Sequence, residues 1–62
     1  MFPLEAILSA FPTGETIRVW DSFGIPLCVT NCASMIPYSY RSSMVTSVTK
    51  SKDGFIDVIV QA

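Results

Sequence analysis

Few side chains in this sequence can do covalent or metal chemistry: among 62 residues there are two thiols, Cys28 and Cys32, and no histidine. Two sulfurs make half of a tetrahedral zinc site, and a Cys-x-x-x-Cys spacing is not a redox motif. A metal site would have to be shared between subunits, and a disulfide would need an oxidising compartment. The simpler reading is a pair of small side chains, with Cys28 partly buried on the outer face beside Arg18. Lack of histidine removes the commonest general base. No serine stands in a Gly-x-Ser-x-Gly elbow or pairs with a lysine at a nucleophile spacing. Asp21 and Asp53 sit in turn sequences, and Asp57 falls on the solvated side of a strand. The three glycines follow turn residues and build no phosphate loop. These residues predict no catalytic site, no metal and no cofactor; the chain is read as a non-enzyme.

Two groups could bind rather than react. Tyr38, Tyr40, Arg41, Ser42 and Ser43 combine stacking faces, hydroxyls and a guanidinium, a mixture suited to a nucleotide phosphate and base. Their plainer reading is a polar connection with its rings folded onto a sheet edge. Trp20, Phe55 and Ile59 fall on one side of the predicted strands and form a candidate interface, with packing in a second layer as the alternative.

The elements that place these residues follow from periodicity. Phe55 to Val60 is the most strand-like run, preceded by the β-branched Met44 to Thr49. A two-residue Asp53-Gly54 loop would set Val58 against Thr49. A three-residue loop, Lys52-Asp53-Gly54, sets Val58 against Val48 and Ala62 against Met44. The second register gathers Met44, Val48, Ile56, Val58 and Val60 on one face and puts Gly54 in a left-handed position, so it is preferred. Thr16 to Asp21 alternates as another strand, and Ser22-Phe23-Gly24 repeats the loop pattern. That loop pairs Val19 with Leu27 and Ile17 with Val29, on a face with Ile25, while Pro26 suits a sheet edge.

Leu4, Ile7, Leu8 and Phe11 form a stripe at helical spacing, which predicts a helix over Met1 to Phe11 ended by Pro12 and Gly14. Asn31 could cap a short helical turn through Cys32 to Met35, stopped by Pro37, with Tyr38 to Ser43 as an irregular connection. The predicted fold is α+β: one domain over 1–62, with an N-terminal helix packed on an antiparallel sheet of two β-hairpins and a short helical turn between them.

Composition bounds the partners. Half the residues are hydrophobic and 15% are charged, against a usual share of about a quarter. A domain this small cannot hide so much apolar side chain, so a homo-oligomer or a partner protein is expected. Net charge is −1, and Arg18, Arg41, Lys50 and Lys52 are the only basic residues. That is too little for a nucleic-acid surface. No run approaches a membrane span, and no basic segment precedes the first apolar stretch, so neither a membrane nor a signal peptide is expected and a cytoplasmic location follows.

The helix Leu4 to Phe11, the run Thr16 to Gly24 with its Asp-x-x-Gly, Ile36-Pro37-Tyr38-Ser39-Tyr40 and the closing hairpin come in a characteristic order. In this order, over nearly its whole length, the chain resembles small, mostly uncharacterised proteins of phages and mobile elements of Gram-positive bacteria. The resemblance implies a phage-related setting, in which a tiny accessory protein counters a host defence; taken with the apolar composition, the expectation is a protein that self-associates and binds a host protein. The alternative is an oligomeric sponge that holds a nucleotide signal between subunits, since one core of this size has no room for such a cavity.

Overall fold

The computed structural model describes residues 2–12 and 14–61. Its strands are β1 (Phe2–Pro3), β2 (Ile17–Trp20), β3 (Pro26–Thr30), β4 (Met44–Lys50) and β5 (Ile56–Gln61), joined in one sheet of order β1-β4-β5-β2-β3. The β2–β3 and β4–β5 hairpins are antiparallel, and β2 runs parallel to β5. The crossover from β3 to β4 carries a 3₁₀ turn at Ala33–Met35 and a single α-helical turn, α1 (Tyr38–Arg41).

Both hairpin loops have the three-residue form expected from their glycines. Asp21 N–H donates to Ile25 O at 3.0 Å, and Ser51 N–H to Phe55 O at 2.8 Å. Asp21 Oδ1 accepts the Phe23 and Ile25 amides, while Ser51 Oγ accepts that of Phe55. Each side chain thereby organises its own turn. Gly24 and Gly54 take φ of 82° and 87°, the left-handed region that penalises a Cβ.

Past the loops the registers depart from expectation. Val48 opposes Val58 as expected, but a bulge at Thr46 sets Met44 against Gln61 and turns Val45 into the core opposite Val60. The expected Met44–Ala62 pair lies outside the described residues. In the first hairpin a bulge after Pro26 sets Val19 against Cys28 and Ile17 against Thr30. Val29 is therefore exposed on the other face, while Leu27 and Cys28 both pack against the core; Ile25, opposite Asp21 at the loop, is exposed as well. Pro26 has no N–H to continue the ladder, and β3 does lie at an edge.

The expected architecture, α+β with an N-terminal helix packed on an antiparallel sheet of two hairpins, is corrected. The sheet is mixed and five-stranded, because β2 pairs with β5 in parallel. Phe2–Pro3 is an edge strand on β4, followed by 3₁₀ turns at Leu4–Ala6 and Leu8–Ala10. A segment as short as Met1 to Phe11 is marginal as an isolated α-helix, and pairing to β4 pins one end. The β-branched Ile7, at φ −112°, breaks the run. Of that predicted helix, Met1 lies outside the described residues. The apolar stripe still packs: Leu4 is fully buried, its N–H donating to Ser43 O, and Ile7, Leu8 and Phe11 lie against the core. Asn31 caps nothing, since Cys32 precedes the Ala33–Met35 turn without a side-chain bond, and Tyr38–Arg41, expected as irregular, is helical.

The core joins Ile17 and Val19 of β2, Val45 of β4, and Ile56, Val58 and Val60 of β5 with Leu4 and Ile36 from the covering segments. Among the described residues, the covering segments pack on this side of the sheet. Around Gly54 nothing stands within 4 Å of the place of a Cβ, so Gly54→Ala meets conformational strain alone. We expect it to lower the stability by about 1–2 kcal/mol, measured by urea denaturation, and an unchanged midpoint would refute the left-handed turn.

Candidate functional site

The other side of the sheet has no covering layer among the described residues. In a strand, residues two apart share a side. Arg18 and Trp20 of β2 therefore share it with Asp57 and Ile59 of β5, and the parallel register sets Arg18 beside Asp57 and Trp20 beside Ile59. Thr49 opposes Asp57 from β4, and Val29 opposes Arg18 from β3.

The centre of this face is one polar cluster. Arg18 Nε donates to Asp57 Oδ1 at 2.6 Å and Nη2 donates to Oδ2 at 2.8 Å, a bidentate pair. The indole Nε1 of Trp20 donates to Asp57 Oδ1 at 3.1 Å. The guanidinium carbon lies 4.4 Å from the Phe55 ring centroid and 5.6 Å from that of Trp20, so two aromatic faces flank it. Arg18 holds the Asp57 carboxyl below its ordinary range, chiefly through the hydrogen bonds it donates, helped by Trp20 and opposed by desolvation. The same bonds raise the Arg18 pKa. Beside the cluster, Trp20, Thr49, Asp57 and Ile59 line a shallow open groove of about 450 Å³.

The structure thus brings Trp20, Phe55 and Ile59 to one face, around the Arg18–Asp57 pair. Alternation alone puts Arg18 with Trp20 and Asp57 with Ile59. What was missing was the parallel contact that sets the two strands side by side.

The second predicted group lies along α1 and the residues that follow it. Tyr38 is exposed, Tyr40 packs against the core, and Ser43 spends its carbonyl on the Leu4 amide. Ser42 is the residue that ends α1. Arg41 donates through Nε to Ile36 O at 3.0 Å and through Nη2 to Ser34 O at 2.8 Å, with the Tyr38 ring 5.0 Å away. Its guanidinium therefore closes the crossover on itself.

Cys28 and Cys32 are free thiols. Cys28 sits against the core, not on the outer face beside Arg18, because the β3 bulge shifts it by one position. The exposed Cys32 Sγ is 2.9 Å from Ser34 Oγ, a hydrogen bond that lowers the thiol pKa. Among the described residues no three histidine, cysteine or carboxylate side chains gather as metal ligands, and no helix is long and apolar enough to cross a membrane. Comparison with protein-family models, curated proteins and solved structures finds no match.

A lowered carboxyl pKa in the folded state means that the unfolded chain binds more protons as pH falls through the carboxylate range. The Asp57 contribution to stability is then present above the unfolded value near 3.8 and lost as pH falls through the lower folded value. We expect the urea midpoint to drop across that window, with the difference between wild type and Asp57→Asn closing at its acid end. A gap independent of pH would show that Asp57 acts by packing alone.

Proposed function

We propose that this chain is a non-enzymatic interaction protein whose copies associate through the open sheet face, and that the assembly binds a protein partner. The setting that fits the resemblance is a phage-type accessory protein in the host cytoplasm, with a host protein as its target in a counter-defence role. The observation that carries the reading is the uncovered face on which Trp20, Phe55 and Ile59 surround the Arg18–Asp57 pair.

Charge supports a second copy as the occupant of this face. Its central cation and anion neutralise each other within one subunit, so an approaching copy meets no net like charge there. Size agrees: a stable interface takes about 800 Å² from each partner, roughly a fifth of the 3964 Å² that this chain exposes. Edge-to-edge association through β3 is the weaker route, because Pro26 and a bulge interrupt that strand. The nucleotide sponge has less support, since Arg41 Nε and Nη2 already hold Ile36 O and Ser34 O, which leaves part of the guanidinium's donors for a phosphate.

Light scattering across a concentration series tests the reading. Wild type should give twice the chain mass or more, and Trp20→Glu should give the monomer. Trp20 also bonds Asp57, so Ile59→Lys serves as a second variant at a position on the face with no side-chain hydrogen bond. Circular dichroism would show that each variant remains folded. A monomeric wild type, or folded variants that keep the oligomer mass, would overturn the proposal.

A further inference from the structure

We propose that the free half of β4 is an acceptor edge for an extended peptide segment, which adds to the sheet in line with β1 and carries an apolar side chain two residues from a basic one. β1 occupies only Met44 and Val45, so the stretch from Ser47 to Lys50 has a strand partner on its β5 side alone among the described residues. Antiparallel ladders alternate bonded and non-bonded pairs. Ser51 N–H donates to Phe55 O at 2.8 Å, which makes that pair bonded, and Ile56 N–H points away from β4 to Thr16 O. The next bonded pair is Thr49–Asp57, so the backbone N–H and C=O of Val48 and Lys50 face outward. An incoming strand would find two donors and two acceptors at strand spacing, the requirement for β-strand addition.

The side-chain chemistry comes from a groove along that edge. Val48 and Lys50 lie on the covered side of the sheet, where Phe11, Pro12, Glu15 and Ile56 complete a groove of about 300 Å³. Phe11 and Val48 make one end apolar, and Ile56 lies opposite Lys50. At the other end Glu15 Oε1 takes the Lys50 ammonium at 2.9 Å, while Oε2 is buried with no donor among the described residues. A buried acceptor without a donor is costly, and turning that oxygen into the groove to meet a guanidinium relieves it. Residues of an added strand opposite Val48 and Lys50 drop their side chains on the same side, two apart. One meets Phe11 and Val48, and the other reaches Glu15.

This edge lies apart from the Trp20 face, so the inference stands whether or not that face associates. The test is a nuclear magnetic resonance titration of the full chain, in wild type and in Ile59→Lys, with a blocked pentapeptide of threonines bearing arginine second and leucine fourth, the order that an antiparallel strand in line with β1 presents to Lys50 and Val48. The Val48 and Lys50 amide signals should shift on binding. The same peptide N-methylated at leucine should lose the effect, and Glu15→Gln should lose the preference for arginine over norleucine. If the two amides stay still at millimolar peptide, the inference fails. If they shift with protein concentration before any peptide is added, the occupant is a second copy and the assignment to a peptide is wrong.

Discussion

The parallel pairing of β2 with β5 joins two hairpins, neither of which could bury a core by itself. A lone two-stranded hairpin is marginal in water, and each hairpin here offers only a few apolar side chains to one face. Side by side, Ile17 lies next to Ile56 and Val19 next to Val58. That row becomes the middle of the core, and Val45 and Val60 extend it. The two covering segments then have a surface to pack on: Leu4 from the N-terminal arm and Ile36 from the crossover are both buried against it.

The same contact builds the opposite face, because alternation ties the two sides of a strand together. If Ile17 and Val19 point into the core beside Ile56 and Val58, then Arg18 must lie beside Asp57 and Trp20 beside Ile59. The outer cluster follows from the inner row. A bidentate pair held between two aromatic rings is better shielded than an ordinary surface ion pair, and it keeps polar atoms satisfied on an otherwise greasy surface. Cover is the limiting resource in so short a chain. Among the described residues the covering segments shield one side of the sheet alone, and Val29, Met44 and Ile59 stay exposed.

How much of this was legible depended on how local the signal was. The two loops could be read because a glycine with a left-handed φ leaves a direct mark, and so could the alternation of Ile17/Val19 and of Ile56/Val58/Val60. Gathering Trp20, Phe55 and Ile59 on one side required nothing more. The neighbour relation of β2 and β5 is a long-range choice that leaves no trace in either strand, so the Arg18–Asp57 pair was hidden although both residues stood on the right side. The N-terminal arm misled in a different way. Its stripe reported truthfully which side chains face the core, but a spacing of three and four residues suits successive 3₁₀ turns as well as an α-helix.

The bulge in β4 carries the same lesson one step further, because its cause was in view. Val45 and Val48 are three residues apart, and a regular strand cannot turn both to one side. One extra residue at Thr46 resets the alternation, and Thr46 Oγ1 donates to Ile59 O at 3.1 Å across the interruption. Val45 then fills the core beneath Leu4, and Val48 faces the groove beside Phe11. The bulge after Pro26 does the like for Leu27 and Cys28, adjacent residues that both pack inward. An apolar spacing of three in one strand beside a spacing of two in its partner therefore signals an inserted residue. A chain with so few core side chains gains more from turning each of them inward than it loses by breaking the ladder once in each hairpin.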